Sequence, residues 1–291
     1  MASFAPTPAQ NNTREATFIP EIWSDEIIAA YEKSLVVRPH VRAMSMVGKK
    51  GDTINVPKPV RGSASAKVTE DTVTLIDTTS GNLPIVVDQH FEYSRLIEDI
   101  TDVQALNSMR QFYTSDAGYA LAKQIDDTLI AEAANFTSQL ECGASGAATS
   151  AATAVAFNDA SFRDAIQVLD DNDVPMDNRV FIIPPAVKNA MTGLERYVST
   201  DFVEGKAVVN GKIGSLYGVD VVVSTNLPLE NTDEKGALLM HKDAIVIVEQ
   251  LGVRTQTQYK QEYLADLMTA DTLYGEDCYR PENGVVIWVS N

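Results

Sequence analysis

Cysteine is almost missing from this chain: Cys142 and Cys278 are the only two in 291 residues. Two thiols cannot build a disulfide framework, so both read as reduced cysteines of a cytosolic compartment. Histidine is nearly as scarce. His40, His90 and His241 have no second His or Cys at ligand spacing, which argues against a zinc site or any other metal centre. No window holds the ~18 apolar residues of a membrane span, and MASFAPTPAQNNTREATF has no apolar core of signal-peptide length. Positive charge is in short supply too. Against 40 Asp and Glu stand 23 Lys and Arg, a net charge of −17. Tight binding to a nucleic-acid backbone needs clustered cations and is disfavoured.

Catalytic signatures are also lacking. No Gly-x-Ser-x-Gly elbow and no Asp-Thr-Gly or Asp-Ser-Gly occurs. VVNGKIGSLYGVDVVVSTNLP (208–228) has glycines at 211, 214 and 218, but Ile213 stands where a phosphate loop needs Ser or Thr, and a strand follows where a dinucleotide site needs a helix. The stretch reads as a turn at Asn210-Gly211, glycines that permit tight geometry, and inward-packed Leu216 and Tyr217. Asp170-Asp171-Asn172-Asp173 breaks the calcium-loop pattern at Met176 and reads as a solvated helix end, where the helix dipole disfavours acids and a local cation would help. Neither a catalytic residue nor a cofactor is expected.

What is present is a mixed α+β pattern with an apolar fraction of 45%, enough for a sizeable core. The first ~20 residues, polar and proline-rich, read as a flexible arm. Ile27, Ile28, Tyr31 and Leu35 then give a helical stripe that Pro39 stops. Residues 51–92 alternate short β-rich stretches around Arg61-Gly62-Ser63-Ala64-Ser65-Ala66-Lys67, which holds no large apolar side chain. An isolated two-stranded ribbon is marginal in water. It must fold onto its own domain or lie on a neighbouring molecule.

Residues 99–136 carry the longest helical pattern. From Tyr113 through Ala117, Leu121, Ile125 and Leu129 to Ala133 every apolar step is four residues. Each step drifts the stripe by about 40° around a helix of 3.6 residues per turn. One partner surface cannot cover such a stripe, so this helix is expected to be a strut touching different elements along its length. Residues 143–155, rich in small side chains, read as a linker. Asp159 is placed to cap a helix with the stripe Phe162, Ala165, Ile166 and Leu169. Residues 179–183 form a strand, and Pro185 opens a short helix that Gly193 closes. The run 219–224 reads as a strand buried on both faces. Residues 238–241 and 244–249 are strands around a Lys242-Asp243 turn. Residues 274–280 and 285–290 flank Asn283-Gly284 as a hairpin. Trp23 and Trp288 read as core residues or interface anchors.

The order of these pieces resembles the major capsid proteins of tailed bacteriophages, with the Hong Kong 97-type capsid fold. The residues that carry the resemblance are Val174-Pro175, 179–185 (RVFIIPP), 211–224 (GKIGSLYGVDVVVS), Pro228, and 277–287 (DCYRPENGVVI). It implies an N-terminal arm over 1–50 and an extended β-hairpin loop over 51–92. A peripheral domain would comprise 93–154 and 251–291, with a spine helix at 99–136, and an axial domain would comprise 155–250. It further implies self-assembly into pentamers and hexamers of an icosahedral head that encloses double-stranded DNA without sequence-specific binding. A separate scaffolding protein and a portal are the implied partners. The implied location is the virion, with host cytoplasm during assembly and no membrane. The interface residues implied are Lys58, Arg61, Lys67 and Glu70 of the loop, with Trp23 as an anchor. Some members crosslink Lys to Asn. Lys58 or Lys67 with Asn283 could fill those roles, although surface lysines and a turn asparagine are the plainer reading. The shell protein of a bacterial nanocompartment, which has the same fold, is the alternative; an acidic hydrolase is a remote one.

Overall fold

The computed structural model describes residues 35–58, 81–98, 109–143, 155–194, 214–227, 230–231 and 234–290, together with 27, 28, 30, 31 and the scattered positions 62, 64–67, 69, 72, 73 and 75. The strands in chain order are β1 (Arg42–Ser45), β2 (Thr53–Lys58), β3 (Gly81–Val86), β4 (Gln89–Glu98), β5 (Ser138–Glu141), β6 (Arg179–Ile183), β7 (Ser215–Leu216), β8 (Val219–Val223), β9 (Glu230–Asn231), β10 (Glu234–His241), β11 (Ile245–Lys260), β12 (Ala265–Cys278) and β13 (Gly284–Ser290). Among the described residues the helices are α1 (Met109–Ala131), α2 (Asp159–Asp171) and α3 (Pro185–Thr192), and residues 27, 28, 30 and 31 are helical too. The class is mixed α+β, as the pattern implied.

Three sheets form. The central one runs β5-β13-β10-β6-β8-β7, with β9 paired to β10; a second runs β1-β11-β12-β4; β2 and β3 make a separate ribbon. Strand alternation divides the apolar residues of the central sheet between two cores. Val180, Ile182, Leu238, Met240 and Val286 join Ala117, Leu121, Ile125, Leu129 and Ile130 of α1. Phe181, Ile183, Leu239, Val285 and Ile287 join Phe162, Ala165 and Leu169 of α2 and Val187 and Met191 of α3. β11 repeats the trick on the second sheet. Ile245 and Ile247 enter the α1 core, while Val246 and Val248 meet the ribbon.

α1 is the strut the four-residue steps predicted. Its buried positions run from Thr114 and Ala117 through Leu121, Ala122, Ile125 and Asp126 to Leu129 and Ile130. Over that run it meets the N-terminal segment at Gly118, where an added Cβ would lie 2.6 Å from Ala30 Cβ, and then β4 and β12. The chain leaves it through a 3-10 turn, Glu132–Asn135. The predicted start, 99–108, lies outside the described residues.

Four local expectations change. Residues 281–283 are a 3-10 turn joining two sheets, and β12 and β13 do not pair as a hairpin. A two-residue Asn-Gly turn needs positive φ at both positions, but Gly284 is extended at φ −136. It is glycine because a Cβ there would sit 2.1 Å from the Phe136 ring. β8 is buried less evenly than its apolar run suggests: Val219 and Val221 enter one core and Val222 packs against the other, but Asp220 and Val223 are exposed. Its outer neighbour is the two-residue β7, so β8 lies near the edge of the sheet, where its end is open to solvent. The cap of α2 is Asn158, whose Oδ1 accepts from Ser161 N at 2.7 Å; Asp159 instead binds Arg163 Nε at 3.0 Å and the Tyr217 hydroxyl at 2.8 Å. Tyr217 is half-exposed over Phe162, and with Gly218 it makes the β7–β8 turn, φ +50 and +81. That pair of positive φ angles is the reason for Gly218; Gly211 lies outside the described residues.

Candidate assembly surfaces

The ribbon has a buried root and an exposed end. β2 pairs antiparallel with β3 from Thr53↔Val86 to Lys58↔Gly81. Alternation points Val56 and Ile85 to one side, where they pack with Met46, Val87, Val246, Val248 and Tyr279. Burying each large aliphatic side chain contributes about 1.5–3 kcal/mol, so the root is fixed to its own chain. Polar contacts add to it. Gln250, at the irregularity in β11, donates to the carbonyls of Gly51 at 2.8 Å and Lys49 at 3.2 Å. The Arg42 guanidinium lies over the Tyr279 ring at 5.2 Å and 3.5 Å from Asp243. Gly275 of β12 is the closest approach: a Cβ there would lie 2.2 Å from the carbonyl oxygen of Val86. Beyond the root, every described position between 62 and 75 is exposed, including Val73 at 65% and Leu75 at 88%.

The residues singled out from sequence fall as follows. Lys58 ends β2, half-buried, and Lys67 is exposed on the distal ribbon. Arg61, Glu70 and Trp23 lie outside the described residues. Trp288 is partly buried in β13, its Nε1 donating to Gln139 Oε1 at 3.2 Å. Lys58 and Asn283 line one cleft of about 580 Å³, with Gly81, Asp173, His241 and Arg280 among the other walls. Asn283 is buried rather than a surface turn residue. His241 closes β10, and its Nδ1 accepts from Asp243 N at 3.1 Å; burial pulls its pKa down. The cation expected beside the acidic helix end is Arg179. Buried itself, it donates to Asp170 Oδ1 and the Val174 carbonyl, both at 2.7 Å, and to the Pro175 carbonyl at 2.9 Å.

Among the carboxyls that escaped the sequence reading, Asp126 and Asp271 are buried and Glu276 is half-buried. Asp126 of α1 accepts from the backbone N–H groups of Val36 at 2.8 Å, Val37 at 3.2 Å and Arg38 at 3.3 Å, and so caps the 3-10 turn Arg38–His40. Burial raises its pKa in spite of these bonds. Asp271 of β12 takes both Arg254 Nε at 3.0 Å and a terminal nitrogen of Arg254 at 2.7 Å, with His90 Nε2 at 3.3 Å. Burial pushes this carboxyl up, but the bonds from Arg254 and His90 outweigh it and hold it low. Glu276 has a buried Oε2 with no hydrogen-bond partner among the described residues; burial, then Glu132, Asp88 and Asp277, push it up to about 7. The signal for Asp126 was present: an acid beside Ile125 on the buried side of a helix. Nothing in the sequence marked the other two, because strand pairing brings Arg254 and His90 to Asp271 and tertiary packing covers Glu276.

Among the described residues no group of three or more His, Cys, Asp or Glu is placed to hold a metal ion, and no helix is long and apolar enough to cross a membrane. Both cysteines are free; burial, with Glu132 and Asp277, pushes the Cys278 thiol up to about 12, far from a reactive thiolate.

Known structures of similar shape are capsids and particles. The chain superposes on the capsid protein of cyanophage P-SCSP1u with a TM-score of 0.74 at 20% identity, covering 89% of each chain. For the mature capsid of bacteriophage PhiM1 the values are 0.68 and 15%, over 88% of this chain and 87% of that one. For a virus-like particle from Pyrococcus furiosus they are 0.61 and 12%, over 92% and 99%. No curated protein sequence matches significantly. The sequence profile that does match describes a phage capsid protein and extends over residues 20–289, nearly the whole chain. By that match, the chain belongs to the phage capsid protein family, whose role is structural rather than enzymatic.

Proposed function

We propose that this chain is the major capsid subunit of a tailed phage, with the Hong Kong 97-type arrangement. In this reading residues 51–92 are the extended loop laid over an adjacent subunit, and α1 is the spine helix of a peripheral domain formed by 93–154 and 251–291. Residues 155–250 form the axial domain around five- and six-fold axes. Pentamers and hexamers close by heterologous contacts into an icosahedral head around double-stranded DNA, with a scaffolding protein and a portal as partners. Many weak contacts per subunit hold such a shell through avidity.

The observation that carries this reading is the ribbon, fixed to its own chain at the root and exposing Val73 and Leu75 at its far end. Charge supports a second copy as its partner. Residues 49–67 hold Lys49, Lys50, Lys58, Arg61 and Lys67 against the single acid Asp52, in a chain of net charge −17. Residues 68–92 hold five acids and no Lys or Arg, so the ribbon over 51–92 carries −3 as a whole, and the attraction to an acidic neighbour belongs to its basic 49–67 edge. The acidic remainder would confine DNA without adhering to it.

Deletion of residues 60–68 tests the reading. A folded subunit that forms no stable shell is expected, read by circular dichroism and electron microscopy. Normal shells from the deleted chain, or its unfolding, would refute the assignment of the ribbon to a neighbour. A nanocompartment shell is the second reading, favoured by the likeness to the virus-like particle from Pyrococcus furiosus. Particles purified from the native source separate the two: nuclease-protected DNA inside supports the head, and a protein cargo supports the compartment.

A further inference from the structure

Glu276 lies where three elements meet. It sits on β12 between Tyr274 and Cys278, and strand alternation gives it their face, the one turned to α1. On the other face its neighbour Gly275 is pressed against the ribbon exit at Val86 and Val87. The groups acting on it come from every side: Glu132 from the 3-10 turn that ends α1, Asp88 from the ribbon exit, and Asp277 from its own strand. Tyr274, whose hydroxyl meets Thr128 at 3.0 Å, stays protonated and brings no charge. The thiol of Cys278 is likewise neutral. The cation Lys58 acts on the neighbouring Cys278. Ile247, in register across β11, is apolar. A carboxyl with a buried, unpartnered oxygen among three other carboxyls is tolerable only while it keeps its proton.

We propose that Glu276 is a proton-operated latch, which when neutral holds the C-terminal turn of α1 and the exit of the ribbon against β12, and when charged releases them. The latch is closed in mildly acidic solution and weakens toward neutral pH. It sets how firmly the ribbon and α1 are seated, whichever molecule the ribbon reaches. A carboxyl in water ionises near 4.5 and this one near 7. Between those values local opening of the seat should become about tenfold easier per pH unit, and level off above.

Hydrogen exchange of the full chain tests it, with rates corrected for the intrinsic effect of pH and the assembly state checked by light scattering. Amides of 86–90, 132–136 and 273–278 should lose roughly tenfold protection between pH 5.5 and 6.5 in the wild type. They should lose none in Glu276→Gln, which keeps the shape without the charge. Glu132→Gln, which removes one facing charge, should move the break to lower pH. A wild type whose protection is flat with pH overturns the latch. So does a Glu276→Gln variant with the wild-type slope, or a break that Glu132→Gln leaves in place. None of these readouts depends on shells forming, so the latch and the capsid reading fail separately.

Discussion

At the scale of single residues, Asp126 ties two parts of the chain together. Its carboxylate gathers three backbone N–H groups from residues 36–38, so the N-terminal segment and α1 hold each other in place. Asp126→Ala leaves those donors without an acceptor in a buried site. The expected cost is about 2–4 kcal/mol in chemical denaturation, with Asp126→Asn costing less because its amide oxygen still accepts. Asp271 and Glu276 should pull the pH dependence of stability in opposite directions. Asp271 is held low, so it contributes stability that is present above the ordinary carboxylate range and is lost as pH falls through its lowered value. Glu276 is held high, so its contribution is complete below about 4.5 and is lost as pH rises through about 7. Glu276→Gln should therefore stabilise the chain at pH 8, by about 1–2 kcal/mol after solvent screening of this half-buried group, and leave it little changed at pH 4. Thermal unfolding at the two pH values measures this.

At the scale of elements, what was legible in the sequence follows from how local the cause is. α2, α3 and α1 from Met109 were visible because a helix writes its buried face into residues three and four apart. The drift of the α1 stripe even showed that the helix would meet several partners. β6 was legible from its apolar run. The link between β12 and β13 was not, because the Asn283-Gly284 signal is local while the need for glycine comes from the Phe136 ring. Gly284→Ala should accordingly destabilise by about 2–4 kcal/mol through overpacking, whereas Gly214→Ala, with open space around it, should be nearly neutral. The exposed positions of β8, Asp220 and Val223, were hidden for the same reason: burial along a strand is decided by the elements packed on it. The ribbon illustrates both cases. Its lack of large side chains around Arg61 to Lys67 was plain, but its anchoring through Val246 and Val248 depends on strands some 160 residues away. Ile85→Ala should cost about 2–5 kcal/mol, because Ile85 is fully buried in the root. Leu75→Ser, at 88% exposure, should leave subunit stability within about 0.5 kcal/mol.

At the scale of the whole molecule, the helices and the central sheet account for the stability of one subunit, and the proposed function gives the ribbon the contacts with other copies. Its root is part of the body; the described positions of its far end are exposed and belong to neither large core. Lys49→Glu with Lys50→Glu, two exposed changes in the basic 49–67 edge, should leave the subunit folded and weaken assembly. Raising salt should weaken the wild-type contact in the same direction. Light scattering against salt concentration reads both.

The most direct measurement is a cryo-electron microscopy map of particles assembled from the purified chain. Closed shells in which residues 62–75 of each copy lie on the body of an adjacent copy are the predicted result. A map in which that stretch folds back onto its own subunit, or a chain that remains a monomer under assembling conditions, would contradict it.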